Sequence, residues 1–280
     1  MEILGRLSEP VRQVVRDRVD AAREMVDIVG ESFSGRSLKL PLPPNWLRDV
    51  GPSDFEKTGQ EFLRYFIELA SLQPKEFVLD IGCGPGRMTL PLIGYLREGR
   101  YFGIDVNARA IRWCRRNISS RAPGFTFYHA DIFNQRYNPS GKLGASEYVF
   151  PFDDDSQDFV FLTSVFTHMY PDDMKHYLLE IARLLRAGGR VFATFFLLNP
   201  VQRELASRGR NKIDFRFDRG PYRTRDDRLP ESAIAVEEST IRAMFTDVHL
   251  RIREPIRFGT WSGREEGLSL QDIVLAEPRR

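Results

Sequence analysis

Residues Phe77-Val78-Leu79-Asp80-Ile81 read as a buried strand. They run straight into Gly82-Cys83-Gly84-Pro85-Gly86, and a helix pattern follows from Arg87. Glycine at alternate positions permits a tight turn and a close approach of backbone to a ligand, because it carries no Cβ. A strand, a glycine turn and a helix N-terminus together form the usual cradle for a nucleotide-like group. The spacing is G-x-G-x-G rather than the G-x-G-x-x-G of dinucleotide folds, and it is preceded by Asp80. An acid at that position suits a ligand that carries positive charge, which a pyrophosphate does not. A second apolar strand, Tyr101-Phe102-Gly103-Ile104, ends at Asp105. That places a carboxylate close to the offset of roughly 20 residues at which ribose hydroxyls are taken. A third, Phe125 to Ala130, ends at Asp131.

Beyond this start the core alternates. Strands are expected near 76–81, 100–105, 124–130, 157–163 and 189–197, and helices near 87–97, 107–119 and 172–186. Such alternation implies a doubly wound α/β fold with a parallel sheet. Val248–Phe258 and Leu268–Glu277 have no helix between them and suit an antiparallel hairpin at one edge. Upstream, apolar residues at three- and four-residue steps over 8–29 predict an amphipathic helix. Leu40-Pro41-Leu42-Pro43-Pro44 is an extended linker, and a further helix is expected from Asp54 to Leu72. The chain thus divides into an N-terminal helical extension with its Pro-rich linker, 1–50, and a main domain, 51–280. Two segments, 133–150 and 199–236, exceed the minimal core. Both leave carboxyl-edge strand ends, where open α/β sheets bind ligands, so they read as caps over a substrate or as longer solvated loops.

At 280 residues with 42% apolar content, the chain can bury a substantial core. A net charge of +2 gives no global steering towards nucleic acid or membrane. Cys83 and Cys114 do not form a disulfide framework. The longest apolar run, Val191–Leu198, has the length of a buried strand and not of a membrane span. A cytoplasmic bacterial enzyme is the expectation, with no metal site: Asp153-Asp154-Asp155 reads as a solvated turn.

Val78 to Gly86, Gly103-Ile104-Asp105, Ala130-Asp131-Ile132, Phe150-Pro151-Phe152 with Asp158 to Phe161, and Glu180 to Gly189 occur in the order of a known family. Over roughly residues 75–200 the chain resembles a class I S-adenosylmethionine (SAM) dependent methyltransferase, of the type 11/25-like bacterial kind. Ala187 stands where that family usually has proline, and Gly188 is expected to end the helix in its place. The resemblance implies a seven-stranded, mostly parallel Rossmann-like sheet and SAM as cofactor. It implies Asp80, Gly82, Cys83, Gly84 and Gly86 at the methionine end, and Asp105 with Val106 at the ribose. It also implies Asp131 and Ile132 at the adenine, with Thr163 and Ser164 along the methionine moiety.

His168 follows the fourth strand and is the histidine that the family's trace brings beside the sulfonium. An imidazole titrates near neutrality and can take a hydroxyl proton; it can equally cap a helix or pack. Tyr137, Phe166 and Tyr170 are candidate acceptor contacts. Trp261, in a Gly-flanked loop, could stack on a sugar ring, cover the pocket or simply pack. The family's Asn/Asp-Pro-Pro-aromatic motif of amide and amine methylation is replaced by Thr163-Ser164-Val165-Phe166, which argues against base modification. O-methylation of a small or glycan-like acceptor is therefore expected. The basic residues Arg203, Arg208, Arg210, Lys212, Arg216, Arg219, Arg223, Arg225 and Arg228 suggest an anionic one, such as a nucleotide sugar. A lipid or prenyl acceptor, a secondary metabolite methylated at O or C, and an RNA gripped by that arginine stretch are the alternatives. A non-enzymatic SAM binder is a further one, and the glycine spacing disfavours an NAD dehydrogenase.

Overall fold

Strong alternation in the middle of the chain builds the main sheet. The computed structural model describes residues 40–48 and 54–279, so the helix expected over 8–29 lies outside the described residues. Helix α1 (Phe55–Glu68) leads into β1 (Phe77–Ile81), α2 (Thr89–Tyr95), β2 (Arg100–Asp105), α3 (Ala108–Cys114) and β3 (Phe125–His129). After the first insertion come β4 (Gln157–Leu162), α4 (Pro171–Leu184) and β5 (Leu185–Phe195). Strand β6 (Leu197–Leu198) leads into the second insertion, which brings α5 (Pro200–Ser207), β7 (Phe217–Asp218), β8 (Tyr222–Thr224) and β9 (Ile234–Glu237). Helix α6 (Glu238–Asp247) then precedes β10 (Leu250–Ile252) and β11 (Asp272–Pro278).

The main sheet has seven strands in the order β10-β11-β5-β4-β1-β2-β3. Strand β11 runs antiparallel between β5 and β10, and the rest are parallel. The doubly wound, mostly parallel fold read from the sequence is therefore present. One face is covered by α1 and α2. Phe62 and Phe66 project from α1 a turn apart, and Phe66 lies 4.5 Å from Phe161 and 5.1 Å from Phe192. Asp54 caps α1 by accepting from the Lys57 amide at 3.0 Å. On the other face Leu178 and Ile181 of α4, with Ile241 and Phe245 of α6, pack against Val160 and Val191. A buried ion pair locks the sheet's far end: Arg190 binds Glu76 through both terminal nitrogens, at 2.9 and 2.6 Å, and donates to the Ala70 and Asp158 carbonyls.

Three details depart from expectation. Helix α4 stops at Leu184, before Gly188, whose φ of +83° falls within β5, where its pairing with β4 is irregular between Leu185 and Arg190. The C-terminal hairpin is shorter, because Pro255 has no amide to give to a ladder and Arg257↔Ile273 remains as an isolated bridge. The 199–236 segment is an ordered unit. Strand β6 pairs with β9, β9 with β8, and β8 with β7, in a second sheet of four short strands.

Candidate active site

Strand β1 pairs with β2 on one side and β4 on the other, so the loops leaving β1 and β4 turn apart and open a crevice at their carboxyl ends. A cavity of about 1000 Å³ fills it. That is the upper end of the roughly 300–1,000 Å³ of small-molecule sites and leaves space for two ligands side by side. Asp80, Gly82, Cys83, Gly84, Asp105, Val106, Ile132, Thr163, Ser164 and His168 all line it.

The glycine turn is held down by the amides of Gly82 and Cys83, which donate to the Ile104 carbonyl at 2.7 and 3.1 Å. Gly82 has φ +80°, and a Cβ there would stand 2.3 Å from the Val165 side chain. No other residue fits between the two loops. Asp105 accepts from the Gly84 amide through Oδ2 and from the Asn107 amide through Oδ1, both at 2.7 Å. Burial raises its pKa, and those two amides and His129 oppose the rise. Each oxygen keeps a further lone pair for a ribose hydroxyl.

Asp80 is almost completely buried. Tyr101 donates to its Oδ2 at 2.6 Å, while Oδ1 has no partner among the described residues. Burial, with Asp105 nearby, pushes its pKa up to about 8 against the pull of Tyr101 and Arg87. An orphaned buried carboxylate oxygen on a cavity wall fits a ligand that brings an ammonium group. SAM brings one, together with the ribose that Asp105 suits.

His168 ends a short 3-10 turn, Phe166–His168, directly after β4. Its Nδ1 lies 2.8 Å from the Glu231 carbonyl oxygen. A carbonyl can only accept, so Nδ1 carries the hydrogen and Nε2 keeps its lone pair. Burial lowers the imidazole pKa and the charge of Arg136 adds to this, against the backbone bonds to Glu231 and Ser232, which favours the neutral ring.

Residues 78–189 match the family described as a methyltransferase domain. The chain thus contains a methyltransferase domain over these residues. It is 33% identical over 112 residues to the phthiotriol/phenolphthiotriol dimycocerosates methyltransferase of Mycobacterium tuberculosis, covering 40% of this chain and 34% of that one. It is 32% identical over 140 residues to the fatty-acid O-methyltransferase of Mycolicibacterium smegmatis, covering 47% and 43%. The chain thus spans less than half the length of these curated relatives. Among solved structures, a SAM-dependent methyltransferase from Aquifex aeolicus superposes with TM-score 0.51 at 17% identity over 84% of this chain and 98% of that one. The PH0226 protein of Pyrococcus horikoshii superposes with TM-score 0.57 at 14% identity, over 89% and 99%. These likenesses show the fold.

Not every expected residue of the methyltransferase site faces the cavity. Gly86, with φ +88°, lies against Ile118 and Thr89 beneath the start of α2. Asp131 stays at the rim, its carboxylate 3.4 Å from the Asn138 amide and 3.9 Å from Lys142, while Ile132 beside it lines the wall. Tyr137 and Tyr170 line the cavity. Phe166 does not: it is fully buried and stacked on Phe195 at 5.0 Å. Trp261 is also fully buried, against Phe196 and Phe215, and its Nε1 donates to Asp272 at 2.8 Å. It packs there and is not among the residues that line the cavity.

The arginine stretch differs from expectation as well. Arg203, Arg208, Arg210, Arg216, Arg219 and Arg223 each pair with a nearby acid. Arg225 lines the cavity. Asn107, Arg136, Glu231 and Gln271 are cavity residues that the sequence does not single out. Gln271 accepts from the Ser164 hydroxyl at 3.1 Å, and Ser164 is held at φ +60°. A non-glycine residue there carries strain of the kind that gathers at functional sites.

Proposed function

We propose that this protein transfers the methyl group of SAM to an oxygen of a small, largely apolar acceptor, with His168 as general base. The observation that carries this reading is the lining of the cavity's acceptor side. Trp46, Leu47, Phe133, Tyr137, Met169 and Tyr170 give the cavity a large apolar and aromatic share, beside the polar Asn134, Arg136, Arg225 and Glu231. Ligand sites of this composition bind by apolar burial and orient by a handful of polar contacts. The ion-paired arginines of 199–236 remove the main support for a nucleotide sugar or RNA as acceptor. The fatty acid named for the Mycolicibacterium relative shares the apolar body of this class, although its carboxylate, already ionised at pH 7, would need no base.

When bound, SAM supplies an activated methyl group on a sulfonium, which leaves as S-adenosylhomocysteine. Asp80 suits its ammonium, and Asp105 its ribose hydroxyls. His168 takes the acceptor's hydroxyl proton at Nε2, the nitrogen that its bond to Glu231 leaves unprotonated. Positioning by the apolar wall supplies much of the remaining rate. Arg136 and Arg225 on the same cavity favour a second reading, in which the acceptor also carries a carboxylate or phosphate.

The test is transfer of labelled methyl from SAM to parallel pools of fatty acids and hydroxylated lipids, nucleotide sugars, and RNA. Label in the first pool supports the proposal. Label confined to either of the others overturns the acceptor class. His168→Ala should lower turnover by about 10²-fold or more, the usual contribution of a general base, and leave S-adenosylhomocysteine affinity unchanged. Full turnover in that variant overturns the base.

A further inference from the structure

We propose that Glu231 is the positioning residue of this site: it clasps the two cap segments together and fixes which nitrogen of His168 faces the acceptor. The proposal rests on the reading of His168 as the base. Glu231 sits in the 3-10 turn Pro230–Ser232, near the end of the 199–236 segment. Its backbone carbonyl accepts from His168 Nδ1 at 2.8 Å. Its carboxylate reaches the opposite way. It accepts from Asn134 Nδ2 at 3.3 Å and from the backbone amide of Gln135, both in the 133–150 segment. One residue thereby joins the turn after β4 to both insertions.

Geometry explains why this matters for chemistry. A free imidazole distributes its proton between two nitrogens, and only the form with Nε2 unprotonated can take a proton at the cavity. The Glu231 carbonyl selects that form, provided the Pro230–Ser232 turn stays where it is. Within the turn Ser232 donates to Leu229 and Ala233 to Pro230, and at its end the Ala233 carbonyl accepts from the Arg225 amide where β9 joins β8. No backbone–backbone bond among the described residues ties it to the 133–150 segment. Its tie to the neighbouring segment is the Glu231 carboxylate. Burial and the charge of Asp173 raise the pKa of this carboxyl, and the Gln135 amide opposes them. The other groups facing the cluster are Arg136, beside His168, and Tyr170, which neighbours Glu231, Asp173, Tyr222 and Arg219.

The experiment reads the tautomer directly, without an acceptor. Long-range ¹H–¹⁵N correlation spectra of the full chain, labelled at histidine and saturated with S-adenosylhomocysteine, report which ring nitrogen is protonated. The His168 signal is assigned by its loss in His168→Ala. The wild type should show Nδ1–H at pH 7.5. Glu231→Ala should shift His168 towards the Nε2–H form and lower label transfer at least about tenfold, within the range of a general base. Glu231→Gln keeps an acceptor oxygen and should retain the wild-type signal. Asn134→Ala, with Glu231 intact, should shift the signal in the same direction and keeps the test open if Glu231→Ala does not fold. An unchanged tautomer in both Glu231→Ala and Asn134→Ala overturns the proposal. If His168→Ala keeps full turnover while Glu231→Ala shifts the tautomer, the clasp stands and the base reading fails.

Discussion

Asp80 makes cofactor binding depend on pH in a way that can be worked out in advance. Its carboxyl is buried, has one oxygen without a partner among the described residues and is pushed up to about 8. In the cofactor-free protein it is therefore mostly protonated at pH 7. A ligand ammonium needs it ionised, so binding expels a proton. Far below the pKa, affinity should fall about tenfold for each pH unit. Between pH 8 and pH 6 the ionised fraction drops from about one half to about 1%, a loss of about 50-fold in affinity. Calorimetry with S-adenosylhomocysteine at pH 6, 7 and 8 measures this. Buffers of different ionisation enthalpy should report about one proton released near pH 7. Asp80→Asn should bind weakly and without that slope. The same carboxyl sets a sign for stability. The folded cofactor-free chain holds a proton that the unfolded chain has released, so its stability falls as pH rises from the unfolded pKa near 4 towards 8. A flat affinity between pH 6 and 8, with no buffer dependence, would refute the assignment of Asp80 to the ammonium.

Asp105→Ala removes the carboxylate that suits the ribose and should weaken S-adenosylhomocysteine binding by about 10- to 100-fold, from the 1.5–3 kcal/mol of a charge-assisted bond; unchanged calorimetric affinity would contradict it. Arg190→Ala strands Glu76 in a nearly buried pair and should cost about 3–5 kcal/mol in urea unfolding. The double change Arg190→Met with Glu76→Leu should cost much less, because no charge is left buried. Trp261→Phe keeps the ring packing against Phe215 but withdraws one of three donors from the buried Asp272. It should cost about 1–3 kcal/mol and leave cofactor affinity unchanged; a large rise in acceptor KM without loss of stability would instead return Trp261 to the acceptor site.

The cofactor half of the site is legible in the sequence because each of its parts is local. Gly82 and Gly84 follow β1 directly, Asp105 ends β2, and Ser164 follows β4. The parallel sheet then brings all these ends to one edge without further instruction. The acceptor half is not local. Strands of two to four residues, such as Leu197–Leu198 and Phe217–Asp218, are too short to show a period of two. Helix α6 does carry a stripe, Ile241, Met244, Phe245 and Val248, but Ser239, Thr240 and Thr246 among them are weak helix formers. Trp261 misleads for a different reason. Its glycine neighbours suggest an exposed loop, and the buried acid that draws its indole inward lies eleven positions on in the chain.

That acid, Asp272, shows how the two halves are joined. It begins β11 in the main sheet, yet it accepts from Leu197 in the second sheet and from Gly259 and Trp261 in the long loop, at 2.6 to 2.8 Å. Burial pushes its pKa up to about 7, against those three donors. A carboxylate in such a place is costly unless every donor stays in position. It therefore fixes the second sheet and the loop to the main sheet at one point. Gln271, next to it, meets Ser164 at the end of β4. The wall that faces the acceptor is thus registered to the strand ends that face the cofactor through Asp272, Gln271 and Ser164. Residues farther out, on β7 and β8, are free of this constraint. Arg225, which follows β8, lines the cavity, and its substitution should change what enters without disturbing how the cofactor is held.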